Sequence, residues 1–426
     1  MSARQPVRLA VAIVLTVAAV LGCTSTPTGP LGGEVTVVGS WSGAEDQAFL
    51  AMVRPFEQET GIVVDYRGTR NLTATLWEGV AKGEPPDVAG LPGPGQMAEF
   101  ARHGSLKDLS SVIDVTAYKQ DTVPTFIDLG TVDGELVGVF IKASLKGLIW
   151  YNPNVYTLDA PDNWIELLRD SDIARRDDGK TWCIGLGSDA TTGWPGTDWI
   201  EDIVLRQSGP AAYDDWVAGR LPWTSPEISK AWELFGEVVE DATGGAGGFI
   251  GTDFQDGGNG LFETPPDCIF HHQATFMTSF FESNAAARKG EYDFFPFPVI
   301  DGRFANSVTG GGDLFGMFNE TPQSRALMEY LVTPAGQEIW VGRGGALSVN
   351  ARVTNYPDDI SKRAAQTLTS AERFRFDASD LMPEQMNEAF LQGVIDFVQD
   401  QSRLDDILAS LDEVQRGANQ TQIVRP

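Results

Sequence analysis

Trp194, Asp198 and Trp199 fall in one glycine-punctuated stretch, Gly193-Trp-Pro-Gly-Thr-Asp-Trp199. An indole face packs on the C–H side of a pyranose while a carboxylate accepts its hydroxyls, so these residue types suit a sugar subsite. Tryptophan is also a common core residue. Trp199 opens an apolar run with Ile200 and Ile203 and is expected to face inward, which leaves Trp194 for a ligand. A second pair, Trp41 and Glu45, directly follows the apolar run Val35 to Val38. The Glu45 carboxylate can accept two hydroxyl hydrogen bonds with charge assistance, or can simply favour the first turn of a helix through its dipole. His271 and His272 are two of three histidines and precede Gln273. A neutral imidazole at His272 could bond a ligand hydroxyl, and a satisfied buried histidine fits the same residues. Arg70 and Arg343 are further candidates, although surface ion pairs explain an arginine as readily.

No Cys/His/Asp cluster with ligand spacing surrounds the histidines, so neither a metal nor a cofactor is expected. Gly-x-Ser-x-Gly, His-Glu-x-x-His and phosphate-loop signatures are absent, and the glycine-rich stretch 244–260 lacks a Gly-Lys-Ser/Thr ending. Glycoside hydrolysis needs two carboxylates about 5–5.5 Å or 6.5–9.5 Å apart. With 59 Asp and Glu in the chain, composition leaves that alternative open. No residue is assigned a catalytic role.

These side chains must be carried by regular elements. Val35 to Val38 reads as a buried strand, and Phe49, Met52, Val53 and Phe56 recur at helical spacing before Gly61. Ile62 to Tyr66 and Val88 to Leu91 read as further strands, so the order is that of a parallel α/β sheet. Strands are also expected at Val137 to Phe140 and Gly147 to Tyr151, and the tryptophan-rich stretch 161–241 is expected to be helical. Eight glycines among the twenty residues 241–260 predict a flexible loop. The tail predicts helices, with stripes Met386, Phe390, Val394, Phe397 and Leu404, Ile407, Leu408, Leu411. Periodicity thus gives an α/β protein of two domains, which suits 426 residues with a 42% hydrophobic share. A net charge of −28 argues against nucleic acid or anionic lipid as a direct partner.

Arg4 and Arg8 precede the apolar run Leu9 to Leu21, the pattern of a secretory signal peptide. The run ends in Val20-Leu-Gly-Cys23 and resembles a bacterial lipobox, which implies removal of residues 1–22 and lipidation of Cys23. Residues 23–33 then form the lipidated cysteine and a tether, whose last ten residues reach roughly 18 Å if flexible. The alternative is an ordinary signal peptide cut nearby. Either way Cys183 and Cys268 remain in an oxidising compartment and are expected to pair, two buried free thiols being the alternative.

Several segments, in order, resemble the extracellular solute-binding proteins of ABC importers, the broad family that includes maltose-binding protein. They are Gly39-Ser-Trp-Ser-Gly-Ala-Glu45, Thr60-Gly-Ile-Val-Val-Asp-Tyr66, Gly83-Glu-Pro-Pro-Asp-Val88, Leu148-Ile-Trp-Tyr-Asn-Pro153 with Asn163-Trp164, Thr333-Pro-Ala-Gly-Gln-Glu-Ile-Trp340 and Gly344-Gly-Ala-Leu-Ser-Val349. Leu91-Pro-Gly-Pro-Gly-Gln96, Gly193 to Trp199 and Cys268-Ile-Phe-His-His-Gln273 look like members assigned to α-glucosides. The resemblance implies a two-lobed periplasmic-binding-protein-like fold with interleaved lobes, 34–140 plus 310–344 and 141–309 plus 345–426. It also implies a monomer on the outer face of the cell membrane, held only by lipid, that binds a carbohydrate and meets the transmembrane subunits of a permease. A peptide or another polar solute in the same fold is the alternative. Trp41 and Glu45 match the family's ligand-contacting loop, and Asp313, after Gly310-Gly-Gly312, would stand where the chain recrosses between lobes. The Pro/Gly turn at Leu91 to Gln96 replaces a loop with tryptophan and charges in maltose-binding protein, so the ligand set should differ.

Overall fold

The structure is a computed structural model that describes residues 31–91, 93–174, 179–283, 287 and 291–424, so the leader and Cys23 lie outside the described residues. Strands Glu34–Gly39, Val63–Gly68 and Val88–Leu91 run parallel, with Glu34 opposite Val63 and Val37 opposite Val88. Helix Ala44–Thr60 makes the first crossover, burying Phe49, Met52, Val53 and Phe56, and stops at Gly61 in the left-handed region at φ 69°. Helix Leu72–Lys82 makes the second.

Ser307–Met317 joins this sheet antiparallel to Val88–Leu91, pairs also with Gly138–Leu145, and near its start takes Arg373–Phe376 as a parallel neighbour. The smaller sheet has the order Asp293–Pro296, Leu148–Tyr151, Cys268–Gln273, Lys180–Cys183. Its last two strands are neighbours, and a disulfide joins Cys183 to Cys268 with Cα atoms 5.5 Å apart. Each sheet has its own core. Phe49, Leu327 and Trp340 pack around the first strands of the larger sheet. Trp182, Trp199, Trp216 and Trp232 fill the other lobe, with Phe390 and Phe397 from helix Glu384–Gln399.

The lobes are interleaved. Gly138–Leu145 lies in the larger sheet, and after Lys146 and Gly147 the chain enters the smaller one at Leu148. The long strand Ser307–Met317 lies beside this crossing, and Leu347 pairs with Ala143 on it as well. This is the two-lobed α/β fold with a hinge that the sequence motifs implied. Within 345–426, Arg373–Phe376 pairs in the larger sheet, whereas the tail helices pack in the opposite core.

Two local expectations fail. Residues 241–260 are not a flexible loop: Gly245–Gly251 is helical, Phe249 and Phe254 are buried, and Phe254 N–H donates to the Gly187 carbonyl at 2.8 Å. Two aromatic anchors and a backbone bond outweigh the glycine content there. The stretch 161–241 is not all helix, because strand Lys180–Cys183 interrupts it with β-compatible Thr181 and Trp182.

Candidate binding cleft

A cavity of about 250 Å³ opens between the lobes over the crossing strands. Three ends of elements supply its walls. Ser40, Trp41 and Glu45 come from the turn after the first strand, where open α/β sheets present their ligand loops. Arg70 to Ala74, Gly93 and Gln96 follow the next two strands. From the other lobe come Trp194, Asp198, Phe254 and Phe276, and the start of helix Glu384–Gln399. The floor is the hinge itself, with Lys142, Lys146, Gly311, Gly312, Asp313 and the Asp377 to Asp380 turn.

Two lysines, Lys142 buried and Lys146 nearly so, organise the charges. Lys142 Nζ is 2.5 Å from Glu45 Oε1 and 3.2 Å from Asp313 Oδ2, and it lies 4.6 Å from the ring centre of Trp340. Burial alone would lower its pKa, but the Asp313 and Glu45 charges outweigh that and raise it. Lys146 Nζ bonds Asp198 Oδ1 at 2.9 Å and also Asp377 Oδ2, with the Trp194 ring 5.4 Å away. Its pKa is likewise raised, because Asp198, Asp380 and Glu201 outweigh burial.

For the carboxylates burial prevails. Burial raises Asp198 and Asp313 against the pull of their lysines. Glu201, wholly buried beneath Asp198, is pushed up to about 8 by burial and then by the Asp198 charge. Asp380 is pushed up to about 7, chiefly by burial. Asp198 Oδ2, Asp377 Oδ1 and Arg70 Nη2 are buried without a hydrogen-bond partner among the described residues. Unpaired acceptors and donors on a cavity wall are what a polyhydroxylated ligand satisfies.

Asp198, Glu201 and Asp377 also bring one carboxylate oxygen each within 4.8 Å of one another. A cation there would compete with the Lys146 ammonium, and both Glu201 oxygens already accept backbone N–H groups, from Ala378 at 2.8 Å and Ser379 at 3.0 Å. The trio is better suited to holding the turn at 377–380 against the helix Trp194–Val217.

Of the residues singled out in the sequence, Trp41, Glu45, Arg70, Trp194, Asp198 and Asp313 line the cavity. Trp194 is the helix's first residue, half-buried, and Trp199 is 2% exposed in the core. Gly193 at φ 112° and Pro195 start the helix at Trp194. His272 is not on the cavity wall. Its Nε2 bonds Asp202 Oδ2 at 2.8 Å and its ring lies tilted against Trp199 with centres 4.2 Å apart, so it is a core histidine held by Asp202, with its Nδ1 buried and without a partner among the described residues. Asp202 in turn accepts from Thr309 Oγ1 at 2.5 Å, tying the hinge strand to the second lobe. His271 bonds the Cys183 carbonyl at 3.0 Å and is pushed down to about 4 by burial. Arg343 is exposed and stands away from the cavity, after the helix Pro334–Val341. Lys142, Lys146, Asp377 and Asp380 were not singled out. The signal was there for the lysines, two charges inside the apolar run Gly138 to Tyr151.

Residues 51–367 match the family described as bacterial extracellular solute-binding protein. This chain belongs to that family. It is 36% identical over 377 residues to the osmoprotective compounds-binding protein GgtB of Synechocystis sp., covering 86% of this chain and 88% of the relative. It is 35% identical over 397 residues to the alpha-glucosides-binding periplasmic protein AglE of Rhizobium meliloti, covering 88% and 85%. In fold it is similar to a chitin oligosaccharide binding protein, at a TM-score of 0.80 and 17% identity over 91% of this chain and 99% of that one. Membership places the solute-binding protein outside the cytoplasmic membrane, in a family that captures solutes rather than turning them over.

Proposed function

We propose that this solute-binding protein captures a neutral carbohydrate, an α-glucoside or another oligosaccharide, and delivers it to the transmembrane subunits of an ABC permease. The observation that carries the reading is the pairing, on one cavity wall, of the half-buried Trp194 with the unpartnered Oδ2 of Asp198. An aromatic face beside a free carboxylate acceptor matches the two faces of a pyranose. Glu45, Arg70 and Asp313 face this pair from the other side, and Trp41, 2% exposed and packed in its own lobe's core, backs that wall. The similarity to a protein named for α-glucosides supports the ligand class, and the one named for osmoprotective compounds widens the panel to small polar solutes.

Residues 34–140 with 310–344 act as one lobe and 141–309 with most of 345–426 as the other. Ligand hydroxyls facing both lobes are satisfied together when the cleft shuts, so binding favours the closed form, and that form is what the permease reads. Lipid on Cys23 keeps this acidic monomer at the membrane, where charge alone would not hold it. A thermal-shift panel of mono- and oligosaccharides, small osmolytes and short peptides tests the ligand class, since a ligand of the native state raises the melting midpoint. A shift with peptides and none with any sugar overturns the reading. Mass spectrometry of the membrane-extracted protein, looking for an acylated Cys23 at the N-terminus, tests the anchor.

A further inference from the structure

Around the rim of the cleft, side chains of the two lobes bond each other directly. Trp77, on the helix Leu72–Lys82 of the first lobe, donates its Nε1–H to Glu384 Oε2 at 3.1 Å. Glu384 is the first residue of the helix Glu384–Gln399, whose apolar face is packed in the opposite core. The Trp77 indole is held in place on its own lobe, stacked on Phe100 with ring centres 4.1 Å apart and meeting His103 edge-on at 5.2 Å. It is not among the residues that line the cavity. Nearby, the Arg70 guanidinium lies 4.7 Å over the ring of Phe254, and Gln255 Nε2 is 3.4 Å from Ser42 Oγ, again from one lobe to the other.

We propose that Trp77 is a closure-positioning residue: its bond to Glu384 holds the lobes together and so sets affinity without touching the ligand. The inference rests on the reading that ligand is captured between the lobes. A bond formed only when the lobes meet adds to the stability of the closed form alone. Observed affinity is the intrinsic affinity of the closed form scaled by how readily that form is populated. Loss of such a bond therefore weakens every ligand by one common factor. Loss of a group that contacts ligand weakens different ligands by different factors. Trp77 is the informative position because phenylalanine leaves an aromatic ring to stack on Phe100 while removing the donor.

The test compares wild type with Trp77→Phe. Small-angle X-ray scattering of the ligand-free proteins should give a larger radius of gyration for the variant, with the melting midpoint unchanged. Titration with maltose and with trehalose should give dissociation constants raised by the same factor, about three- to tenfold for one hydrogen bond to a charged acceptor. Equal radii, unchanged affinities, or unequal factors for the two sugars overturn the proposal, as does a lowered midpoint without a change of radius. If neither sugar binds the wild type, the titration is repeated with two sugars from the thermal-shift panel, whose outcome decides the ligand reading separately, and the scattering comparison still decides the role of Trp77.

Discussion

At the scale of single residues, the cleft concentrates carboxylates that burial makes reluctant to ionise. Glu201 is pushed up to about 8 from an ordinary 4.5, and Asp380 to about 7, while Asp198 and Asp313 are also raised. The folded protein then holds protons that the unfolded chain releases as pH rises past the ordinary carboxylate range. Stability is fully present below that range and is lost as pH climbs towards about 8. Urea midpoints should therefore fall between pH 5 and pH 8, and Glu201→Gln, which cannot ionise, should flatten that slope. An unchanged slope in the variant would mean that Glu201 is charged throughout. Trp194 and Asp198 test the ligand side. Trp194→Ala should cost on the order of 2 kcal/mol of binding to a sugar found in the panel, as a lost aromatic anchor does. Asp198→Ala should cost a comparable amount by leaving hydroxyls unpaired. Calorimetric titration showing both variants as tight as wild type would move the site elsewhere.

At the scale of elements, what was legible followed from local pattern. The strands at 34–39, 63–68 and 88–91, the helix 44–60 and both tail stripes lie where periodicity put them, because each buries one face against one neighbour. His272 stayed undecided between ligand and core for the opposite reason. Its partner Asp202 is 70 residues away on another element, and no local spacing announces such a pair. That network makes its own prediction. Gly147, at φ 65°, is where the chain passes from one sheet to the other, and a Cβ there would come within 2.6 Å of both Asp202 carboxylate oxygens. Gly147→Ala should strain the backbone and push Asp202 off His272 and Thr309. A left-handed non-glycine residue alone costs roughly 1–2 kcal/mol, so a larger loss in the urea midpoint is expected. A loss no greater than that would show the network to be tolerant of displacement.

At the scale of the molecule, two α/β lobes were legible but their interleaving came only with the resemblance. The pairing of Arg373–Phe376 with a strand some sixty residues earlier was not foreseen at all. Pairing between distant segments leaves no trace in local composition. Charge, by contrast, could be read from the start, and the structure gives it a consequence. The chain carries −28, and around the cavity Glu45, Asp198, Asp313, Asp377, Asp380, Glu384 and Glu388 face Lys142, Lys146 and Arg70. Each lysine is already engaged by two carboxylates. An anionic ligand would have to shed its hydration and would meet mostly like charge, with the spare Nη2 of Arg70 as its one buried unpaired cationic group on the described wall. The cleft should therefore reject uronates. The sugar that binds best and its counterpart with a 6-carboxylate form a matched pair of nearly equal shape, so calorimetry on both isolates the charge. The uronate should bind at least about tenfold more weakly, or 1.4 kcal/mol. Raising salt should narrow that gap only in part, since exposed charges are screened and buried ones much less. Equal or tighter binding of the uronate would mean that Arg70, rather than the acids around it, sets the sign of the site.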